Sequence, residues 1–403
     1  MSQDRLMSDQ ITRFVGSQGV SRRGFLRGAA LAGLGLGAPG LLSACGTSGA
    51  KVNQAKCVST DLSAKQKVIH FSNWIGYVDP SKGKGLSTLE KFQKETGITV
   101  DYQTDVNDNE SFFAKVSPQL QACKSTGRDI FVLTDWMAAR MIDLGWLQKL
   151  DHSKMPNVEA NLISYLKSPS WDKHRDYSVP WQSGMTGICY NSELTDPVTS
   201  FKELLTRPDL KGKIELLTEM RDTMLFLLLM QGSDPGDFTD KEFASAIDTL
   251  QGYVSDGQVR RFAGNDYVDD MKSGDIVACE AWSGDVINLL GGGKYKWLPP
   301  EEGFAIWTDN MLVPNRADHK SNAEALMNFY YDPVNAAQLA AWNYYFCPVQ
   351  GAQQKMAQFD TAAVHSDYIF RTEDALRNAH SFMPLSNKQE TNYQRQFNQV
   401  MGG

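Results

Sequence analysis

The chain has 403 residues, 42% of them hydrophobic and 22% charged, and a formal net charge of −7. That length and balance suit a globular protein with room for two cored domains. The acidic excess excludes a continuous basic track for phosphates, so no nucleic-acid partner is expected, and an acidic surface suits a cationic partner.

The first element in chain order is a leader. Ser21-Arg22-Arg23-Gly24-Phe25-Leu26 resembles the twin-arginine export motif, and the Ala/Gly/Leu-rich stretch 29–42 after it is too short to span a bilayer. Leu42-Ser43-Ala44-Cys45-Gly46 looks like a bacterial lipobox, in which the signal is cut before the cysteine and the thiol carries lipid. Residues 1–44 are therefore expected to be a Tat-type lipoprotein signal peptide, Cys45 the lipidation site, and the small, polar stretch 45–65 a flexible tether. The protein is then exported and lipid-anchored, at the outer face of the cytoplasmic membrane or in the periplasm. A soluble secreted protein with an incidental Cys45 is the alternative. Cys57, Cys123, Cys189, Cys279 and Cys347 fit no zinc spacing, and their odd number leaves at least one outside any internal disulfide. The sequence leaves their pairing open.

From Lys67 onward, strand-like and helix-like segments alternate. VIHFSN (68–73) reads as a short buried strand, and Leu86, Leu89 and Phe92 line a helix face closed by Gly97. ITVDYQT (98–104) alternates as a strand, and Phe112, Val116 and Leu120 mark a helix that Pro118 is expected to kink or shorten. DIFVLTD (129–135) is the third strand, followed by a helix face of Met137, Met141 and Leu144 that stops at Gly145. This order predicts a doubly wound α/β domain, in which ligands sit at the carboxyl ends of strands. Trp74, Tyr77, Thr134 and Trp136 fall at those ends.

A second series follows YSVPWQSGMTGICYN (177–191). KIELLTE (213–219) is a strand running into a buried helix with the apolar run MLFLLLM (224–230), and DIVACEAWSGD (275–285) is a strand ending at Trp282. GFAIWTDNMLVP (303–314) carries Trp307 and Asp309, and an Ala-rich helix pair leads to the turn NYYFCPV (343–349).

Enzyme signatures are missing. There is no G-x-S-x-G elbow and no H-E-x-x-H, and the glycines of GGGKY (291–295) lack P-loop spacing. The histidines, at 70, 152, 174, 319, 365 and 380, show no helical i, i+4 metal pair. No catalytic residue, metal or cofactor is expected.

What recurs is an aromatic residue at a strand end with a carboxylate near it: Trp74, Tyr77, Trp136, Trp181, Trp282 and Trp307, with Glu219, Asp222 and Asp309. One tryptophan alone is more often core than site; the shared location carries the argument. Indole and phenol faces attract ammonium groups and cover methylene stretches, while carboxylates fix amine ends through charge-assisted hydrogen bonds. The pattern suits a long, flexible cation. Glu219 and Asp222 also fit a capped first helical turn with Thr218 as cap, and Arg221 is a candidate internal partner for Asp309.

F-S-N-W-x-x-Y-V, D-I-F-V-L-T-D-W, Y-S-V-P-W, L-L-T-E-M-R-D, A-W-S-G-D and F-A-I-W-T-D-N-M-L-V-P, in this order, resemble the spermidine/putrescine-binding proteins of bacterial ABC transporters, from about Lys67 to the C-terminus. The resemblance implies a two-domain periplasmic-binding-protein fold (type II) with a hinged, Venus-flytrap cleft. It implies an N-terminal lobe of 66–184 plus 308–352 and a C-terminal lobe of 185–307 plus 353–403. It implies a monomer that binds a polyamine through Trp74, Tyr77, Thr134, Trp136, Glu219, Asp222, Trp282, Trp307, Asp309 and Tyr345 and hands it to permease subunits. The chain departs from the family at Ile75-Gly76, where Thr-Glu is typical, and in a loop around Glu219 that is one residue shorter. Other readings are a betaine-type cation, ferric iron on the Tyr344-Tyr345 pair with His70 nearby, an exported hydrolase on the same scaffold, and a solute-independent adhesin or scaffold.

Overall fold

Parallel strand triplets form two halves of one sheet, and a long antiparallel pair joins them. The computed structural model describes residues 49–53, 57, 59–81, 85–371 and 376–402; the expected signal peptide and lipidation site, with Arg22, Arg23 and Cys45, lie outside the described residues. In chain order the first half contains β1 (Val68–Trp74), α1 (Thr88–Thr96), β2 (Thr99–Val106), α2 (Asn109–Gln121), β3 (Ile130–Thr134), α3 (Asp135–Asp143) and α4 (Pro156–Asn161). Then come β4 (Ser178–Asn191), α5 (Phe201–Thr206), β5 (Ile214–Leu217), α6 (Met220–Met230), α7 (Asp240–Ser255), β6 (Val259–Ala263), α8 (Tyr267–Ser273), β7 (Ala278–Trp282), α9 (Ser283–Asn288) and β8 (Tyr295–Leu298). The last elements are β9 (Phe304–Leu312), α10 (Lys320–Tyr330), α11 (Pro333–Asn343), α12 (Ala352–Met356), β10 (Ala379–His380) and α13 (Asn387–Met401).

The sheet order is β2-β1-β3-β9-β4-β7-β5-β6, with β10 on β9 and β8 on β4. β1 runs parallel to β2 and β3, and β5 runs parallel to β6 and β7. In each triplet the earliest strand is central, the 2-1-3 order of doubly wound sheets. β9 pairs with β3 through Asp309–Leu312 and β4 pairs with β7 through Thr186–Tyr190, both antiparallel. Between those two stretches Gly184 lies opposite Trp307, where both strands pass from one half to the other. β4 is buried at all its residues, and its register with β9 shifts between Pro180 and Gln182, where proline has no N–H for the ladder.

Local chemistry explains the boundaries. The α1 helix starts two residues later than its apolar spacing suggests: Ser87 and Glu90 form a reciprocal capping box, and Leu86, expected on the buried face, is exposed. It ends where expected, at Gly97 with φ +70°. Pro118, expected to kink or shorten α2, is carried inside it. The Ala114 carbonyl, which cannot receive a bond from Pro118, accepts the Ser117 hydroxyl at 3.2 Å. In α6, Met224 to Leu228 are all buried, each worth about 1.5–3 kcal/mol of transfer free energy, so core burial more than propensity fixes this helix.

The stretch 45–65 was expected to be a flexible tether, but its described residues are held to the body. Val52 donates its N–H to Leu144 O at 3.0 Å, Trp146 Nε1 donates to Ala50 O at 3.1 Å, and Leu62 donates its N–H to Asp318 O at 2.7 Å. A Cys57–Cys123 disulfide adds a covalent tie, while Cys189, Cys279 and Cys347 are buried free thiols. Polar composition read as slack is here backbone held by isolated hydrogen bonds to distant segments. Among the described residues no helix is long and apolar enough to cross a membrane.

Candidate functional site

The carboxyl ends of β1, β3, β5 and β7 converge on one cavity of about 610 Å³. Its lining includes all ten residues singled out from the sequence: Trp74, Tyr77, Thr134, Trp136, Glu219, Asp222, Trp282, Trp307, Asp309 and Tyr345. Trp181, also considered there, is core: it is buried, its ring 4.4 Å from Tyr330 and edge-on to Phe71 at 5.8 Å.

The aromatics form a continuous wall. Trp74 meets Trp282 edge-on with ring centroids 5.6 Å apart, and its Nε1 donates to Val132 O at 3.1 Å. Tyr345 lies 5.0 Å from Tyr77 and 5.7 Å from Trp307. Two glycines make this wall possible, since a Cβ at Gly184 would overlap the Trp307 ring and one at Gly284 the Tyr345 ring.

Two carboxylates face this wall, each held by neutral donors. Asp309 accepts from Tyr77 Oη at 2.7 Å and Thr134 Oγ1 at 2.8 Å. Burial pushes its pKa up to about 7 against those hydrogen bonds. Asp222 accepts from Thr186 Oγ1 at 3.0 Å and Trp282 Nε1 at 3.3 Å, and burial lifts it to about 6. Thr186 Oγ1 in turn accepts from Trp307 Nε1 at 3.0 Å, so Asp222 orients both indoles, one directly and one through a hydroxyl.

The capping alternative for this region is not what the structure shows. Glu219 sits at the N-cap of α6 without a side-chain cap bond, and Asp222 turns to Thr186 and Trp282. The Glu219 carboxylate instead accepts from the backbone N–H of Asn109 at 2.7 Å and from Asn109 Nδ2 at 2.8 Å. It thus meets the first turn of α2, a helix of the other sheet half, and burial raises its pKa well above the ordinary value. A second link between the halves runs from Asn288 Nδ2 to Gly76 O at 2.8 Å.

Arg221, the candidate partner for Asp309, pairs elsewhere. Its guanidinium forms a two-point salt bridge with Glu390 on α13 and lies 3.9 Å over the Trp136 ring. Trp136 lines the cavity, yet this face of its ring already carries a cation from the chain itself.

Strand-end reasoning missed three groups. Phe382, Met383 and Glu390 reach the cavity from the far C-terminus, and Asn109 from a helix start; no local pattern marks either. Asp285 lies behind the wall, accepting from Tyr345 Oη at 2.6 Å and from Tyr267 Oη and Asn265 Nδ2 at 2.8 Å each, with burial raising it to about 6. The A-W-S-G-D motif carries that aspartate one helical turn past Trp282, which was the available signal. The tyrosine pair proposed for iron is split: Tyr345 bonds Asp285, whereas the Tyr344 hydroxyl bonds Asp360.

Chemically, the site offers aromatic faces and two buried acids, Asp222 and Asp309, whose hydrogen-bond donors are hydroxyls and an indole. The family model for bacterial extracellular solute-binding proteins matches residues 87–372. The chain belongs to that family. It is 31% identical over 275 residues to the spermidine/putrescine-binding periplasmic protein of Escherichia coli K12, covering 68% of this chain and 75% of that one. It is 27% identical over 342 residues to spermidine/putrescine-binding periplasmic protein 1 of Haemophilus influenzae, covering 84% of this chain and 89% of that one. Among solved structures, a putative spermidine/putrescine ABC transporter protein from Listeria monocytogenes superposes with a TM-score of 0.72 at 27% identity, over 83% of this chain and 99% of that one. The fold of this solute-binding protein is accordingly the two-domain periplasmic-binding-protein fold, with β4 and β9 as the crossing strands.

Proposed function

We propose that this solute-binding protein is an extracytoplasmic lipoprotein that captures a polyamine of the putrescine/spermidine class and delivers it to the permease of an ABC importer. The observation that carries the ligand class is the pair Asp222 and Asp309, buried beside Trp282, Trp307 and Tyr77 with neutral hydrogen-bond donors only. A neutral sugar uses the aromatics but has no need of these acids. Protonated amines meet both: ammonium groups at the carboxylates, methylenes along the rings. The names of the relatives support the same ligand class.

In this reading the lobes are 66–184 with 308–352 and 185–307 with 353–403; the pairing of Gly184 with Trp307 supports the first two boundaries, while the third, after Ala352, falls within α12. Trp74, Tyr77, Thr134, Asp309 and Tyr345 hold one part of the ligand and Trp282, Asp222 and Trp307 the other, while Glu219 secures closure through Asn109. Trp136 forms wall with Arg221 stacked on it. Residues 1–44 direct Tat export, Cys45 carries the lipid, and the protein acts as a monomer without enzymatic activity.

The test is calorimetric titration of residues 46–403, a span that keeps Cys57 with its partner Cys123, against putrescine, spermidine, betaine and ferric citrate. Micromolar or tighter binding of a polyamine, weakening as salt rises, is expected. Heat from betaine or iron with none from either polyamine overturns the ligand class and leaves the fold assignment standing.

A further inference from the structure

A second cluster lies away from the cavity. His70 sits toward the amino end of β1, roughly 13 Å along the strand from Trp74. One ligand atom each from His70, Asp129 and His319 lie within 4.8 Å of one another. The three come from β1, from the residue before β3 and from the N-cap of α10, so no local spacing announces them. The Asp129 and His319 side chains are buried, while that of His70 is 41% exposed, which leaves the cluster reachable from solvent on one side.

Hydrogen bonds around the trio decide what it suits. His319 Nε2 faces Gln66 Oε1 at 2.7 Å, a contact that suits the tautomer with its proton on Nε2. In a neutral ring Nδ1 then turns a lone pair toward Asp129 Oδ2, 2.9 Å away. Both ring nitrogens of His319 thus face oxygens, and a cation fits beside Nδ1 and the buried Asp129 carboxylate. Asp129 is itself fixed, accepting the backbone N–H of His70 at 2.9 Å and of His319 at 3.0 Å. His70 repeats the pattern: its Nδ1 lies 3.1 Å from Asp101 Oδ2, which leaves Nε2 for coordination. Imidazoles whose second nitrogen is held by a carboxylate or a carbonyl oxygen are how metal-binding histidines are oriented.

We propose that His70, Asp129 and His319 form a binding site for a divalent transition metal of the zinc class, independent of the cavity. Two nitrogens and a carboxylate oxygen are ligands zinc accepts, with water completing the shell. Bound metal would clamp three segments, two of which are separated by 190 residues.

The experiment uses tag-free protein treated with EDTA and titrated with ZnCl₂, with CoCl₂ as a spectroscopic probe. One equivalent of zinc per chain, a visible cobalt absorption displaced by zinc, and a raised thermal midpoint are expected. His70→Ala, at an exposed position that leaves the core intact, weakens zinc binding by about 10–100-fold, as does Gln66→Leu through the outer shell. Putrescine affinity stays unchanged in His70→Ala. Absence of zinc binding, or equal zinc affinity in wild type, His70→Ala and His319→Gln, overturns the site; the His319–Asp129 contact is then an ordinary structural hydrogen bond.

Discussion

Two regions of the cavity use the same ingredients to opposite ends. Around Trp136 the chain supplies everything: an indole, a guanidinium 3.9 Å above it and the carboxylate of Glu390 to balance the charge. Around Trp282 and Trp307 it supplies the indoles and the carboxylates, Asp222 and Asp309, and meets those acids with hydroxyl and indole donors. The first region is a closed electrostatic unit that holds α6, α13 and α3 together. The second has its acid pKa values raised by burial, so in the proposed reading it gains from a cation brought by the ligand. The difference teaches that aromatic-plus-acid composition does not by itself mark a binding site. The origin of the cation does.

The sharpest way to break this comparison is Asp309→Asn. An ammonium buried without its carboxylate loses several kcal/mol, so polyamine affinity should fall by about 100-fold or more while the fold is kept. Calorimetry reads the affinity and circular dichroism the fold; unchanged affinity places Asp309 among structural acids, with Glu390.

Acidity tests the same pair without mutation. Burial raises Asp309 to about 7 and Asp222 to about 6, and a cation favours their ionised forms. Ligand amines stay protonated throughout this range. Affinity should therefore be highest above pH 7 and fall by about tenfold per pH unit below the pKa for each acid that must ionise. At pH 6, binding should release protons, seen as heat that depends on buffer ionisation. For the unliganded protein the sign is reversed: an acid with a raised folded pKa stabilises the fold at low pH and gives up that contribution as pH rises from about 4 toward 7.

Much of this site was legible in the sequence because the fold class itself places it. Once β-α-β alternation is read, Trp74, Thr134 and Trp282 must end parallel strands, and strand ends gather at one edge. Asp309 was readable as a carboxylate in an apolar strand. What could not be read is partnership at a distance. Glu219 reads as a ligand-binding acid or as a first-turn acid of its own helix, yet it meets the amino terminus of α2 in the other half. Arg221 is one residue from Asp222 in sequence, and its partner Glu390 is 169 residues away. The described part of 45–65 is held in the same long-range way, since Ala50 and Leu62 bond to segments far along the chain. Local patterns report periodicity and turn chemistry; they do not report which buried charge finds which.

Trp282→Ala should have a smaller effect than loss of Asp309. It removes a ring from the wall and a hydrogen bond to Asp222, and affinity should drop by more than about tenfold. Affinity equal to the parent's makes Trp282 rim or core and removes the cage from the proposal.

The smallest effect on binding is expected at Arg221, where the effect on stability is large. Its charge is balanced by Glu390, so Arg221→Met should change polyamine affinity by no more than about threefold. The same substitution leaves Glu390 buried without its counter-ion and uncovers the Trp136 face, which should cost about 3 kcal/mol in chemical denaturation. Replacing both partners, Arg221→Met with Glu390→Met, removes the stranded charge and should restore most of that stability, because apolar packing of similar volume substitutes well for a buried pair. If Arg221→Met instead weakens binding as much as Trp282→Ala does, the guanidinium is part of how the cavity selects its ligand, and the two regions are one site.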